Sequence, residues 1–303
     1  MTVLLLALAL DLALGEPPNR WHPVAWVGEA LDAGRRALSG ATRPMLLLGG
    51  ALVVLTIAAL AAGAVLLLER LLEPWPLARI AVDACLLKAA LSVRALFGAV
   101  RRVGAALAGG HLVGARASLG ADLVSRPTAD LSAELAGSAA VESLAENLTD
   151  SLIAPLLFFA MGGVAAAWAY RVVNTADAMI GYRDGDLEYL GKAAARLDDV
   201  LNWVPARLGA LAIVAGAALG GGSPAGAWRV LRRDGGRTAS PNAGLTMAAM
   251  AGALGVTLTK PGHYALGEGA APDPATIGRA CRVAAAALGI VIVLALALLH
   301  VLR

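Results

Sequence analysis

The sequence is poor in charged residues and cysteine, and it lacks the common signature motifs of soluble enzymes. Only 16% of its 303 residues are charged, against roughly a quarter in globular domains. No run of Lys and Arg is interleaved with aromatic residues, which argues against nucleic acid as a partner. Cys85 and Cys281 lie far apart without a His at metal-ligand spacing, so neither a disulfide framework nor a structural zinc site is expected. The P-loop, GxSxG, HExxH and GxGxxG motifs are absent, so any use of ATP would need an arrangement without a standard sequence signature.

The chain instead contains long apolar runs. Hydrophobic residues make up 58% of the chain, and the mean hydropathy is +0.71. These runs predict an all-α, polytopic helical membrane protein with about 4–6 membrane segments, together with interfacial amphipathic helices and polar loops. The candidate segments are Leu4–Leu14, Met45–Leu68, Leu152–Ala169, Leu208–Gly221, Val283–Leu302 and, as a span or a re-entrant segment, Ala243–Leu258.

The longest stretch between candidate spans is Glu69–Ser151. Charged side chains recur at roughly helical spacing within Ile80–Leu107, which predicts an amphipathic helix at the interface or against the bundle. We expect His111–Leu131 to be a connector and Ser132–Asp150 to be a second helix. The sequence has no internal repeat or low-complexity linker, so we expect a single integral membrane domain in which Glu69–Ser151 is a largely extramembrane helical insertion.

The most polar stretch, Arg171–Leu208, follows one apolar run and precedes another. Charge between membrane spans is costly to desolvate, so such clusters usually pair or bind something polar. Asp198 and Asp199, close to Arg196, offer paired carboxylates beside a guanidinium, which suits Mg²⁺ and phosphate. A loop with ordinary surface ion pairs is the simpler interpretation, although it explains so many polar residues less well.

A second acidic group, Glu142, Glu146 and Asp150, leads into an apolar run. At about 100° per residue, these three side chains share an arc of roughly 80° on one helical face. Carboxylates on successive turns repel one another unless a cation lies among them, and Mg²⁺ that bridges phosphate oxygens is a suitable cation. A solvated acidic face paired with nearby arginines is the alternative, and the residues alone leave both open.

Two further polar segments lie nearer the ends of the chain. Residues 11–24, DLALGEPPNRWHPV, combine an aspartate in an apolar run with three prolines, and a stiff turn at the membrane exit explains them most simply. Residues 240–244, SPNAG, precede an Ala-rich helix whose free N–H groups could bind an anion, although a plain helix cap also fits. Upstream lies a basic patch that suits acidic lipid headgroups at least as well as a substrate. It consists of Arg229, Arg232, Arg233 and Arg237.

The polar segments, in this order, resemble the membrane-bound CobD/CbiB family of cobalamin biosynthesis, the adenosylcobinamide-phosphate synthases. The matching stretches are DLALGEPPNRWHPV, ESLAENLTDSLIAPLLFF, NTADAMIGYRDGDLEYLGKAAARLDDVLNWVPARL and SPNAGLTMAAMAGALGV, which together span nearly the whole chain. The chain departs from the family pattern at Glu16, where Asp is usual, and at Met247, where the family has Glu.

The resemblance implies an ATP-dependent amide ligase with magnesium. Adenosylcobyric acid would be joined to (R)-1-amino-2-propanol or its O-phosphate, giving adenosylcobinamide or its phosphate. The protein would lie in the lipid bilayer of the bacterial inner membrane, with an active site that opens to the cytoplasm, and it could associate with other membrane enzymes of the corrinoid pathway. A membrane transporter and a non-catalytic scaffold for corrinoid enzymes are the alternatives.

An acyl-phosphate route needs a metal on the phosphates, guanidiniums at the transferring phosphoryl group and a base for the amine. The catalytic candidates are Glu146, Asp177, Asp198, Asp199 and Arg196. The metal candidates are Glu142, Glu146, Asp150 and Asp199. The substrate- or nucleotide-binding candidates are Asn147, Asn174, Thr175, Tyr182, Arg183, Asn202, Arg207, Ser240, Asn242 and His22. A simple crossing by Leu152–Ala169 would separate these groups, so we expect a break at Pro155 or Gly162-Gly163, or a tilted bundle with a deep polar crevice.

Overall fold

The computed structural model describes residues 1–301, which are almost entirely helical. The helices are α1 (Thr2–Leu14), α2 (Pro23–Ala37), α3 (Arg43–Leu71), α4 (Pro76–Ala90), α5 (Val93–Ala108), α6 (Leu112–Asp122), α7 (Ala133–Leu148), α8 (Ala154–Ile180), α9 (Leu187–Leu190), α10 (Lys192–Leu201), α11 (Trp203–Gly220), α12 (Pro224–Asp234), α13 (Ala243–Leu254) and α14 (Pro274–Val301). A 3₁₀ turn (Asn19–Trp21), a π-helical turn (Thr149–Ile153) and an antiparallel hairpin of β1 (Thr257–Lys260) and β2 (Tyr264–Gly267) complete the described elements.

Four helical segments of the described chain are long and apolar enough to cross a membrane, which confirms the predicted all-α, polytopic membrane class. They are Arg43–Leu71, Ala133–Ile180, Trp203–Gly220 and Pro274–Val301. Most of α3 is exposed, as expected for a helix whose solvent is hydrocarbon. The last residue of the predicted segment Val283–Leu302 lies outside the described residues.

The predicted apolar segment Ala243–Leu258 is wrong at its C-terminal end. Helix α13 stops at Leu254 because Gly255 adopts a left-handed conformation with φ 67°, which favours glycine. Leu258 then lies in β1. With 12 residues, nearly all of them buried, α13 is shorter than the roughly 20 residues that a span needs, so it is a core helix.

The region between residues 80 and 131 contains more helices than predicted. Ile80–Leu107 is two helices, because Leu91 adopts an extended backbone (φ −102°, ψ 165°) after α4. The predicted connector His111–Leu131 contains α6. Ala115 and Leu119, one turn apart on α6, are fully buried against α5 and α7, and this packing stabilises a helix that its short apolar pattern does not reveal.

The expected break in the third candidate span is present. Pro155 has no N–H for the carbonyl of residue 151, and the π-helical turn at Thr149–Ile153 ends two residues before this proline. Gly162 and Gly163 have non-helical backbone angles, and Gly163 is in the left-handed region at φ 73°. The second part of α8 therefore begins after these glycines, and it carries the start of the polar stretch.

The chain forms two compact units. The first comprises Met1–Ser92, Ala154–Asn202 and the residues from Ala295 onward. Within it α3 packs on α8, α9 and α10, and α1 packs on α4. A Cβ at Gly50 would lie 2.0 Å from the carbonyl oxygen of Leu190, so the close approach of α3 and α9 requires glycine. The buried core includes Leu31, Leu46, Val54, Val173, Ile180 and Leu190.

The second unit comprises Val93–Ile153 and Trp203–Leu294. Within it α7 packs on α5, α13 and β1, while α11, α12 and α13 pack on one another. A Cβ at Gly216 would lie 2.8 Å from the backbone nitrogen of Ala287, so α11 and α14 meet backbone to backbone, as small residues allow. The predicted single domain with an insertion at residues 69–151 stays a prediction.

Candidate functional site

An aspartate of the polar stretch lies buried at the centre of a hydrogen-bond network in the first unit. Asp198 on α10 accepts from Asn174 Nδ2 at 3.1 Å and from Asn202 Nδ2 at 3.0 Å, one on each oxygen. The hydroxyl of Tyr170 donates to Asn202 Oδ1 at 3.0 Å, which sets the orientation of that amide. Burial raises the pKa of Asp198, the two amide donors oppose this rise, and the charge of Asp199 adds to it. The structure thus brings three predicted site residues together, with Asp198 holding both asparagines in place.

The next residue, Asp199, lines a cavity of about 270 Å³ that we call the arginine cavity. Its polar lining consists of Tyr182, Arg183, Glu188, Lys192, Arg196 and Asp199. Arg196 Nη1 lies 3.9 Å from Asp199 Oδ2. Four of these residues were predicted site residues. The other two, Glu188 and Lys192, were not, and Lys192 lies one turn before Arg196 on α10. Three cations outnumber the two carboxylates around this small cavity, which suits an anionic group such as a phosphate.

Asp177 is not part of the lining of the arginine cavity, but it lies beside Gly181, which is. Its carbonyl accepts the N–H of Gly181 at 2.8 Å at the end of α8, and Gly181 lines the cavity. A Cβ at position 181 would lie only 2.0 Å from Asp177 Oδ1. The glycine therefore lets the aspartate carboxylate approach the chain where it leaves the helix.

A second cavity of the first unit, about 430 Å³, contains the predicted binding residues His22 and Thr175. We call it the Glu16 cavity, because Glu16 Oε2 accepts from His22 Nε2 at 2.9 Å and from Lys88 Nζ at 2.8 Å in its wall. His22 Nδ1 accepts the N–H of Val24 at 3.2 Å at the start of α2, so the ring proton is on Nε2. Burial acts to raise the pKa of Glu16, but these two donors hold it below its ordinary value.

In the second unit the metal candidate Glu142 is buried, and its carboxylate is engaged by protein donors. Ser138 Oγ donates to Oε1 at 2.7 Å, and the Tyr264 hydroxyl donates to Oε2 at 3.0 Å. Arg126 Nη2 lies 3.6 Å from Oε2. Ser138 Oγ also accepts the N–H of Thr259 at 2.6 Å, so the β1–β2 hairpin is attached to α7. These contacts favour an anchoring role for Glu142, and its assignment to metal stays a prediction.

The other two carboxylates of the acidic group are Glu146 on α7 and Asp150 in the π-helical turn that follows it. Burial raises the pKa of Tyr264, and the nearby charges of Glu142 and Glu146 raise it further. Met247 is buried, with its Sδ 3.7 Å from the Tyr264 hydroxyl. Asp150, half-buried, lies in the π-helical turn.

The predicted magnesium site needs fewer protein ligands than a structural metal site. Within residues 1–301, no group of three or more His, Cys, Asp or Glu side chains could hold a metal ion. Mg²⁺ commonly takes one or two carboxylates plus substrate phosphates and water. The carboxylate of Asp199, in a cavity that Glu188 also lines, fits such a phosphate-bridged ion, and the magnesium set stays a prediction.

The SPNAG segment and Arg207 come together in the second unit. Arg207 Nη1 lies 3.4 Å from Asn242 Oδ1, and its guanidinium stacks 3.9 Å from the centre of the Trp203 ring. Ser240 Oγ accepts the N–H of Asn242 at 3.2 Å in the turn before α13, whereas the cap residue Asn242 makes no side-chain cap hydrogen bond. Asn147 instead bonds to residues four before and four after it.

Three arginines of the basic patch have carboxylate partners within the protein. The carboxylate of the buried Asp234 lies 2.8 Å from Arg233 Nη2 through Oδ2 and 3.1 Å from Arg237 Nη1 through Oδ1. Glu268 pairs with Arg233 and with Arg229. The patch thus connects α12 to the hairpin, and it is less suited to lipid headgroups than its sequence suggests.

Two residues that the sequence did not predict, Lys88 and Tyr264, form hydrogen bonds with partners far away in the sequence. Lys88 lies 72 residues from Glu16, and Tyr264 lies 122 residues from Glu142. No local spacing reveals such pairs. The predicted carboxylates fall in both units, and the expectation that they serve one site stays a prediction.

Comparison with known proteins gives one consistent result. Residues 4–295 match the family described as CobD/Cbib protein. The cobalamin biosynthesis protein CobD of Dehalococcoides mccartyi is 44% identical over 273 residues, covering 90% of this chain and 88% of that protein. The probable cobalamin biosynthesis protein CobD of Methanothermobacter thermautotrophicus is 43% identical over 268 residues, covering 88% and 87%.

The CobD protein of Geobacter metallireducens is 43% identical over 262 residues, covering 84% of this chain and 80% of that protein. No solved structure matches the chain. Both the family match and these relatives cover most of the chain, and they agree with the resemblance of its polar segments. The chain therefore belongs to the CobD/Cbib family of cobalamin biosynthesis.

Proposed function

We propose that the protein is an ATP-dependent ligase that joins the free propionate of adenosylcobyric acid to the amine of (R)-1-amino-2-propanol or its O-phosphate. The observation that carries this proposal is the arginine cavity, where Arg183, Lys192 and Arg196 surround a small space beside Asp199. A carboxylate and an amine do not condense at neutral pH without activation, and guanidinium groups stabilise a transferring phosphoryl group. Membership of a cobalamin-biosynthesis family supports the corrinoid as the substrate.

The proposed reaction proceeds in two steps. First, an oxygen of the propionate attacks the γ-phosphorus of ATP, the bond to ADP breaks, and an acyl phosphate forms. Then the amine nitrogen attacks the acyl carbon, the C–N bond forms, phosphate leaves, and the nitrogen gives up a proton to a base. The products are the amide, ADP and inorganic phosphate.

The arginine cavity supplies the charge that this reaction needs. Arg183, Lys192 and Arg196 bind phosphate oxygens, and the Arg196–Asp199 contact orients the guanidinium before substrate arrives. Asp199 would hold Mg²⁺ on those oxygens, and the ion, when bound, neutralises phosphate charge. Asp198 positions Asn174 and Asn202. Glu142, Glu146 and Asp150 remain the metal candidates of the second unit.

We place this reaction at the bacterial inner membrane, with the arginine cavity open to the cytoplasm, because ATP is cytosolic. The cavity lies on α9, α10 and the chain before them, outside the four candidate spans. A single cysteine introduced at position 188, in a chain that lacks Cys85 and Cys281, tests the orientation. Labelling by a membrane-impermeant maleimide only in inside-out vesicles supports the cytoplasmic assignment, and labelling only in right-side-out vesicles contradicts it.

Amide formation by the purified protein in lipid nanodiscs tests the function. With ATP, Mg²⁺, adenosylcobyric acid and either amine donor, mass spectrometry should detect the amidated corrinoid together with an equal amount of ADP. Arg196→Ala should lower the rate at least tenfold, as expected when one charged contact to a transferring phosphoryl group is lost. Arg35→Ala, an exposed arginine of the same unit that pairs with Asp32, is the matched control and should leave the rate unchanged. A folded protein that binds corrinoid without amidating it would instead indicate a scaffold, and solute flux without ATP cleavage would indicate a transporter.

A further inference from the structure

We propose that the Glu16 cavity binds a primary carboxamide group of the substrate. This inference rests on the proposed function, because the corrinoid substrate carries such amides on its side arms. The cavity lies in the first unit, between the segment that follows α1, the start of α2 and the second part of α8. Its polar lining consists of Glu16, Asn19, His22, Ser92, Arg171 and Thr175.

The first reason is an acceptor atom that the protein leaves without a donor. Both protein donors of Glu16, His22 Nε2 and Lys88 Nζ, bond to its Oε2. The other oxygen, Oε1, is buried and has no hydrogen-bond partner among residues 1–301. A buried carboxylate oxygen without a donor is costly. An N–H group of a ligand in the cavity would remove that cost.

The second reason is that the charge around Glu16 selects a neutral donor. The Lys88 ammonium bonds to the same carboxylate and is itself buried. Arg171 lines the cavity as well. A ligand ammonium would therefore add a third positive charge to this region. A ligand carboxylate, although Arg171 would attract it, would face the carboxylate of Glu16 and has no hydrogen to donate to Oε1. A primary amide avoids both penalties.

The third reason is that the same wall also offers donors for an amide carbonyl. The side chains of Asn19 and Ser92 line the cavity together with Arg171, and each carries at least one N–H or O–H group. The Thr175 hydroxyl in the same wall is already engaged, because it donates to the carbonyl of Arg171 at 2.7 Å. An amide has two N–H donors next to one carbonyl acceptor. It can donate to Glu16 Oε1 and accept from this wall at once, which a hydroxyl or a hydrocarbon group cannot do as well.

Two corrinoids that differ in their side-arm groups test the proposal directly. Cobyric acid carries primary amides, and cobyrinic acid carries carboxylates on the same ring. We expect the wild-type protein in nanodiscs to bind cobyric acid at least about tenfold more tightly, measured by equilibrium dialysis with corrin absorbance, since a hydrogen bond to a charged group is strong and its loss is costly. Glu16→Gln should reduce this preference to within about threefold, because a neutral amide at position 16 can also donate to a ligand carboxylate.

Two further variants keep the result interpretable. Glu16→Gln leaves the buried Lys88 without its counter-charge, so the double variant Glu16→Gln/Lys88→Met removes both charges, and it should show the same reduced preference. Glu29→Gln, an exposed glutamate on α2 in the same unit, makes the same chemical change away from the cavity and should keep the wild-type preference. Thermal unfolding of each variant checks that it is folded.

The outcomes separate the two proposals. An unchanged preference in both Glu16 variants, with wild-type amidation intact, would overturn the carboxamide site and leave the proposed function standing. A wild-type protein that binds neither corrinoid and forms no amide would overturn both. A preference that falls only in the variants with an altered Glu16 supports the site.

Discussion

Replacing Asp234 with Asn should loosen the β1–β2 hairpin from α12. Asp234 is fully buried, accepts two N–H groups of Arg233 at 2.9 and 2.8 Å, and accepts the backbone N–H of Gly267 at 2.8 Å. Asn preserves the shape but removes the charge and one acceptor oxygen. A hydrogen bond to a charged group contributes about 1.5–3 kcal/mol, and solvent around the half-exposed guanidiniums screens part of their attraction. We therefore expect Asp234→Asn to lower the free energy of unfolding by about 2–3 kcal/mol.

The pH dependence of this loss has a definite sign. Hydrogen bonds from Arg233 hold the pKa of Asp234 below its ordinary value, although burial opposes this effect. The carboxylate therefore stabilises the fold fully above its unfolded pKa, and this contribution is lost as the pH falls through the folded value. Wild type should converge with Asp234→Asn in that acid range.

Chemical unfolding in detergent micelles, followed by tryptophan fluorescence, measures this loss. The matched control is Asp32→Asn, since Asp32 also pairs with two arginines but at the exposed surface of α2, where such pairs contribute less than about 1 kcal/mol. An unfolding free energy that falls no more for Asp234→Asn than for Asp32→Asn would refute the reasoning.

Three further predictions concern the candidate site. Because burial raises the pKa of Asp198, the contribution of this carboxyl to the free energy of unfolding is full below its unfolded pKa and falls as the pH rises through its folded pKa. Asp198→Asn should remove that decline in unfolding experiments between acid and neutral pH, and a decline that persists in the variant would contradict the prediction. Tyr264→Phe removes the donor to the buried Glu142 and should lower the free energy of unfolding by about 1–3 kcal/mol, whereas Tyr189→Phe, whose ring stacks on an arginine, should change it by less than half as much. Asp199→Asn should lower the rate of amide formation at least tenfold in the nanodisc assay while the unfolding midpoint stays near that of wild type, and an unchanged rate would remove Asp199 from the mechanism.

The long apolar runs were sufficient to predict the class of the fold, because the need to satisfy backbone groups in hydrocarbon leaves few alternatives to helices. The break at Gly162-Gly163 was also predictable, since glycine tolerates the left-handed backbone that Gly163 adopts. Helix α6 was missed because only two residues one turn apart are buried, and its stability comes from packing against α5 and α7. The β1–β2 hairpin was missed because its strands have only four residues each.

The candidate site was partly predictable from the rarity of polar residues in the chain. Asn174, Asp198 and Asn202 stood out because polar residues are rare in this chain, and they do bond to one another. Polarity alone could not show that Asp198 is buried while Asp199 lines a cavity. The partners of Glu16 and Glu142 lie in distant segments, so only the packing of those segments reveals that Lys88 and Tyr264 belong with them.

The fate of a labelled oxygen tests the central claim most directly. Adenosylcobyric acid whose free propionate carries ¹⁸O in both carboxylate oxygens would be incubated with the protein, ATP, Mg²⁺ and the amine donor, and the phosphate products would be analysed by mass spectrometry. Activation as an acyl phosphate predicts one labelled oxygen in each inorganic phosphate and none in the nucleotide. Amide formation with the label in AMP, or with no label in any phosphate product, would contradict the account.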